Sequence, residues 1–415
     1  MEEVSDISPQ DFFSRFVSPR KPCKLLGNFL QCDGMMKWRN FDYLKEKCGK
    51  YNVRVERRCS AEETYGNGNE TVMLFEDFLN LVKDENDKVY ITTQELLYSE
   101  EGMPSLYSPP IDGLLNDFHM IPKLLGNLIP QNFNLWMGYT SPKNPSSSRL
   151  HHDFHDNLYV LLKGEKQIVL YHYDYAPSMY TVGTIEKVHE NGRINYFGQR
   201  PTNADGSDIS SNAAYLASLK LDKALKKLEE LDNIDDLYDE VDDEIDKALE
   251  DVLDAEIADN DFWDEDDSEE LDDDIDDENI SHDYTNYNLS IGTGSDNLKR
   301  KLSDSIFNSS KHKIPNNKSD PNNFSLVDLA LSDEKIKANF PLFYSIMDKK
   351  IEITLKEGEG LFIPAGWFHE VKSSGTHMAF NYWLHPCCSG VKYCCYETPY
   401  GDNDFWLHDW LKRFE

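Results

Sequence analysis

Apolar residues recur at two distinct periods along this chain. In DFFSRFV (11–17) and FEDFLNLVK (75–83) they fall at helical intervals, which puts Phe75, Phe78, Leu79 and Val82 on one side of a helix. Elsewhere short apolar or alternating runs predict strands: KVYITTQ (88–94) at its start, NFNLWMGY (132–139), IEITL (351–355), LFIP (361–364) and THMAFNYWL (376–384). NLYVLLKGEKQIVLYH (157–172) reads as a hairpin turning at Lys163-Gly164-Glu165. The pattern is a mixed helix/strand N-terminal part, residues 1–125, packed on a β-rich core made by 126–203 and 323–390, with 391–415 as a C-terminal segment.

Between 204 and 322 the pattern changes. SLKLDKALKKLEELDNIDDLYDEVDDEIDKALEDVLD (218–254) keeps near-helical apolar spacing, whereas 259–297 is acidic enough to read as disordered. From Glu229 to Glu278 there are 29 acidic residues against the single Lys247. That segment carries −28 of the formal net charge of −34, so the rest of the 415-residue chain is only mildly acidic. Phosphate backbones attract Lys and Arg, so direct duplex-DNA binding is not expected. The acidic start MEEVSDISPQDFFSRF lacks the apolar core of a secretory signal, and no run of about 18 apolar residues occurs to span a membrane. An intracellular protein, cytoplasmic and/or nuclear, is expected. Two small basic clusters, Lys299-Arg300-Lys301 and Lys311-His312-Lys313, have the composition of a bipartite nuclear signal, or simply relieve local charge. Cys387-Cys388 and Cys394-Cys395 read as reduced thiols, since adjacent cysteines seldom bridge and no C-x-x-C spacing suggests zinc.

His151 and Asp153 form an H-x-D pair whose side chains, two apart in a strand, share a face. With His369, in LFIPAGWFHEV, they would complete a set of two imidazoles and one carboxylate, which suits non-haem Fe(II) and also Zn²⁺. His152 is expected to face away from His151, and both His152 and His155 to be exposed or to stand behind the site. Trp367, Phe368, Tyr382 and Trp383 read as core.

SSRLHHDFHDNLYVLLKGEKQIVLY resembles the core motif of the JmjC (jumonji) oxygenases, and most of all the small JmjC-only hydroxylases: Ser, then H-x-D, then Asn, then G-x-K. LFIPAGWFHEV followed by FNYW resembles the family's distal-histidine and Asn-bearing strands, and YITTQ (90–94) resembles its Y-x-x-Q segment. The matching pieces cover 88–175 and 324–385. The resemblance implies a mainly β fold with flanking helices, a double-stranded β-helix (cupin-like jelly roll), here interrupted by the acidic insertion. It implies Fe(II) on His151, Asp153 and His369, with 2-oxoglutarate as cosubstrate and O₂ as co-reactant. Lys166, 15 residues past His151, would face the far carboxylate of 2-oxoglutarate; Ser148, Asn157, Asn381 and Tyr90 would bind the cosubstrate or orient its neighbours, with Trp136 packed nearby. The 216 positions from Asp153 to His369 exceed the family's usual spacing, and the insertion fills the excess, at a closure cost that grows only logarithmically.

Three functions compete at this level: hydroxylation of a protein side chain, histone lysine demethylation, and a non-catalytic cupin-like interaction role. The expected partner is a protein substrate, basic in character (histone or translation-related), and the intact triad speaks against the non-catalytic reading.

Overall fold

The computed structural model describes residues 1–58, 70–98, 104–230, 241, 243–254, 320–387, 395–401 and 405–414. Its strands are β1 (Glu2–Val4), β2 (Cys23–Leu25), β3 (Asn52–Arg57), β4 (Glu70–Leu74), β5 (Val89–Ile91), β6 (Pro130–Thr140) and β7 (Ser146–Ser147). They continue with β8 (His151–His152), β9 (Asp156–Tyr171), β10 (Ile185–Val188), β11 (Ile194–Tyr196), β12 (Ile351–Lys356), β13 (Gly360–Ile363) and β14 (Phe368–Leu384). Among the described residues twelve of these join one sheet, in the order β1-β2-β13-β9-β14-β6-β5-β3-β4, with β12 on β9 and both β7 and β8 on β14. The N-terminal part therefore extends the sheet of the core rather than packing only as helices upon it.

The expected hairpin at 157–172 is not formed. β9 is one strand of 16 residues, and both of its halves pair antiparallel with β14. The first half lies between β13 and the distal half of β14; the second lies between β12 and the proximal half. Gly164 supplies a bend rather than a turn: its φ is +86°, and four steps on β14 (Ser374 to Met378) face two on β9 (Glu165 to Lys163). Alternation alone does not separate a hairpin from a long bent strand, because both keep period two on either side of the glycine. Shared long strands bent in this way fold a sheet over itself, as in a jelly roll.

Three apolar clusters fill the resulting layers. The largest packs the N-terminal helices against the sheet, and the predicted stripe Phe75, Phe78, Leu79 and Val82 is wholly buried in it. A second gathers Leu150, Tyr171, Tyr196, Phe343 and Phe368 beneath the triad region. The third, with Leu161, Ile168, Leu170, Leu355, Leu361 and Trp367, lies on the inner side of the folded sheet.

Within the expected insertion, Ile209–Glu230 is a helix, and Lys220 and Lys227 pair with Asp251 and Glu244 of a second helical stretch, 243–254, at 2.8 and 2.9 Å. At its two ends Thr202 bridges Asp208, and Gly183 N–H donates to Asn322 O at 3.0 Å, so Asn322 packs with the body. The stretch expected to be disordered and both basic clusters lie outside the described residues, as do Cys388 and Cys394. Cys387 is buried beside Arg20, and Cys395 is exposed near Thr398. No helix among the described residues is long and apolar enough to cross a membrane.

A buried ion pair ties these parts together. Arg20 (2% exposed) donates from both terminal nitrogens to Asp156 (0% exposed), and its Nε donates to Asn191 O at 2.8 Å. Asp156 Oδ1 also accepts from Ala365 N–H at 2.8 Å. One carboxylate thus joins the N-terminal segment, the start of β9 and the turn between β13 and β14. Removing one partner leaves an uncompensated charge in the interior, so Asp156→Ala is expected to cost about 3–5 kcal/mol in denaturant unfolding. A loss below about 1 kcal/mol would show that the pair does not staple the fold.

Candidate functional site

His151 stands on β8 and His369 on β14, and the two residues are directly paired across the antiparallel ladder. Their rings lie 4.4 Å apart between centroids. Asp153 follows β8 at the i+2 position, with Oδ2 3.7 Å from His369 Nε2. Together the three offer one ligand atom each, all within 4.8 Å of one another; among the described residues this is the one such His/Cys/Asp/Glu group of three or more. Both imidazoles are held in the same way. His151 Nδ1 lies 2.9 Å from Arg149 O, and His369 Nδ1 lies 3.0 Å from Trp367 O, each a carbonyl two residues earlier. A carbonyl can only accept, so each Nδ1 carries the proton and each Nε2 presents a lone pair.

Electrostatics act on two of these donors, His151 and Asp153. Burial, with His369 opposite, pushes His151 down to about 4. Burial alone would raise the Asp153 carboxyl, but His369, His151 and the Asn157 amide hold it below the ordinary value. The cluster offers two imidazole nitrogens and one carboxylate oxygen, a donor set that fits a divalent cation with three-point protein ligation.

Asp153 is oriented by a chain of amides and indoles. Asn157 Nδ2 and Trp383 Nε1 donate to its Oδ2 at 3.0 and 3.3 Å. Asn381 Nδ2 donates to Asn157 Oδ1 at 3.0 Å, and Trp136 Nε1 to Asn381 Oδ1 at 3.0 Å. Asn157 and Asn381 therefore position the carboxylate, and Asn381, fully buried, is not among the residues that line the cavity described below. Trp383, read as core, is a direct partner of Asp153. Its signal was present as the i+2 neighbour of Asn381 on one strand face. The Asp153 backbone is fixed as well, its carbonyl accepting from Gly366 N–H at 3.0 Å. A Cβ at Gly366 would lie 1.8 Å from Gly192 O, so the PAGW turn requires glycine there.

The triad opens into a cavity of ≈ 500 Å³. Lys166 reaches it from past the Gly164 bend, 2% exposed, and burial pushes its amine down to about 7. No hydrogen bond or carboxylate meets this amine among the described residues; its neighbours are the rings of Tyr159 and Tyr90, at 5.5 and 5.9 Å. Tyr90 thus lines the cavity, while Tyr159, not singled out in the sequence, is the nearer ring. Ser148 also lines it, but its hydroxyl donates to Arg149 O (3.1 Å) and accepts from Val371 N–H (3.0 Å), which locks the approach to His151. His152 is not exposed: it is buried on the opposite side, its Nε2 2.6 Å from Tyr196 Oη. His155 is half-buried against Trp383.

A family model described as "Cupin-like domain" matches residues 9–389. The chain is 31% identical over 432 residues to "JmjC domain-containing protein 4" of Schizosaccharomyces pombe, an alignment that covers 98% of this chain and 88% of that protein.

Carboxylates that support a metal site are themselves held by partners whose loss typically costs about 10- to 100-fold in affinity. Asn157→Ala is therefore expected to weaken Co²⁺ binding by about that factor while the thermal unfolding midpoint stays near that of the parent. Unchanged affinity would remove Asn157 from the site's support.

Proposed function

The chain belongs to the cupin-like family of JmjC type, and from that premise we propose that it is an Fe(II)- and 2-oxoglutarate-dependent dioxygenase that hydroxylates a protein side chain. The observation that carries this reading is the buried amine of Lys166, without a charged partner among the described residues, in the same cavity as the triad. An unpaired cation in an apolar enclosure is costly, and this one has surrendered much of its affinity for a proton. A dianion with one end at the triad and the other at Lys166 would supply the missing countercharge.

Bound Fe(II) with 2-oxoglutarate and O₂ supplies oxidative decarboxylation, giving succinate and CO₂ while one oxygen atom enters a substrate C–H bond. His151, Asp153 and His369 would hold the metal, leaving the cavity side for cosubstrate and O₂. Asn157 and Trp383 keep Asp153 from rotating, and Lys166 fixes the distal carboxylate. Ile168, Ile363 and Val371 line the cavity with apolar surface and limit water around the reacting centre. Glu56 and Glu70 line it too, Glu70 pairing with Arg54 at 3.0 Å; the partner in this reading is a basic protein, whether a histone or a translation-related one. Histone lysine demethylation would use the same groups, because an N-methyl carbon once hydroxylated releases formaldehyde. A non-catalytic cupin-like role is the remaining alternative.

Purified protein with Fe(II) and ascorbate is expected to convert 2-oxoglutarate to succinate, slowly even without substrate, and both His151→Ala and Asp153→Ala abolish that turnover in a folded protein. No turnover and no metal uptake in the parent would leave the non-catalytic role. Formaldehyde release from methylated histone peptides would identify the demethylase instead.

Lys166 gives a pH signature. Its free amine titrates near 7, and the dianion binds the charged form. Affinity for 2-oxoglutarate is then full below that pH and falls as pH rises above it, by roughly tenfold per unit, until the bound amine also titrates. KM for 2-oxoglutarate measured from pH 6 to 8.5 reads this directly; Lys166→Met raises KM and flattens the profile. A parent profile already flat would remove the assignment.

A further inference from the structure

His151 is held by a device centred on Arg149, a residue to which the family pattern gave no role. Its Nδ1 proton goes to the carbonyl of Arg149, a non-glycine residue in the left-handed region with φ +63°. That conformation costs energy for a residue with a Cβ, and persists only where neighbours impose it. Here they do. The Arg149 amide donates to Ser147 Oγ at 2.8 Å, and its carbonyl also accepts from Ser148 Oγ. Its guanidinium makes two parallel hydrogen bonds to Asp320, at 2.8 and 2.7 Å. Arg149 and Asp320 are only partly exposed, 24% and 29%, and the fork geometry is the strong form of this pair.

The residues that follow Asp320 continue the grip. Phe324 bridges His151 in antiparallel fashion, and its ring stacks on the His151 imidazole at 5.0 Å and 14° between planes. The Arg149 guanidinium lies over the same Phe324 ring at 5.3 Å. On the backbone, Ser325 N–H donates to Leu150 O at 2.8 Å, and His152 N–H to Asn323 O at 3.2 Å. The short stretch 320–325 thus acts as an added strand along β8, and Pro321, Asn323 and Phe324 form part of the cavity wall.

We propose that Arg149, clamped by Asp320 and Phe324, is a positioning residue for His151, so that the stretch 320–325 sets the metal affinity of the site. The proposal rests on the reading of His151 as a metal donor. Arg149 is not among the residues that line the cavity; it acts by fixing the carbonyl that fixes the imidazole. Phe324 acts on the ring itself, limiting its tilt. The chain therefore completes its metal site with residues more than 160 positions beyond the H-x-D pair, and any shortening of the acidic segment must leave 320–325 intact.

The test is Co²⁺ titration of the full chain, reading both the dissociation constant and the visible ligand-field spectrum of the bound ion. Asp320→Asn and Phe324→Leu are each expected to weaken binding by about tenfold and to alter the spectrum, with unfolding midpoints near the parent's. Phe324→Tyr, which keeps the stacking face, restores both. Because Arg149 and Asp320 act as a unit, Arg149→Met combined with Asp320→Asn binds no more weakly than the worse single variant. Parent-like affinity and spectrum in folded Asp320→Asn and Phe324→Leu would overturn the proposal, as would additive losses in the double variant. A parent chain that takes up no Co²⁺ would instead overturn the metal reading beneath it.

Discussion

The register of β14 is the constraint from which the rest of the structure follows. With His369 set across from His151, His369, Val371 and Ser373 all face the cavity. A slip of one residue would turn the whole set outward, because the side-chain period of a strand is two. The distal half of the same strand places Trp383 against Asp153 and Asn381 behind Asn157. One strand therefore carries a triad member, part of the cavity wall and two of the groups that orient the carboxylate. None of these can be moved alone.

Gly164 reconciles that register with Lys166. On β9, Asn157, Tyr159 and Leu161 face the inner side, whereas Leu158, Val160 and Leu162 pack in the core behind the sheet. Past the bend the phase changes: Lys166, Ile168 and Leu170 now face inward. Unbroken alternation from Asn157 would have pointed Lys166 away from the cavity, nine positions along. The bend shifts the phase by one, and its backbone is open to glycine alone: φ is +86°, and a Cβ would lie 2.6 Å from Thr376 O. The G-x-K pattern thus has a mechanical meaning, with the glycine delivering the lysine to the correct face.

What could be read from the sequence and what could not divide along sequence distance. H-x-D declares itself because i and i+2 share a strand face, and His369 and Lys166 follow from resemblance to a family pattern. The helix 75–83 and strands β6, β12 and β13 follow from periodicity. The hairpin expected at 157–172 was wrong because period two does not encode which neighbour a strand pairs with. Arg20 and Asp156 are 136 residues apart, and Arg149 and Asp320 are 171 apart. Nothing local marks any of the four as a partner. Asp320 was counted with the acidic insertion because its neighbours are polar; only the fold shows that it returns to the H-x-D strand. Trp383 read as core because an aromatic on a strand usually is, and its indole N–H became informative only with Asp153 beneath it.

The electrostatics of the cavity tie the two proposed ligands to each other. Without ligands the enclosed formal charges of the triad and Lys166 are the carboxylate of Asp153 and an amine that burial has brought near neutrality. A divalent cation at the triad would leave these two sites with a net positive charge, and would further disfavour the charged amine. A dianion alone would face the Asp153 carboxylate without a counterion at that end. With both present and Lys166 protonated, the charges of +2, −1, −2 and +1 cancel. The groups are poorly balanced singly and balanced together, so each ligand is expected to raise the affinity of the other, and by linkage to the same extent. The buried lysine and the triad are on this view one electrostatic unit, spaced by the bend at Gly164 and held in phase by β14.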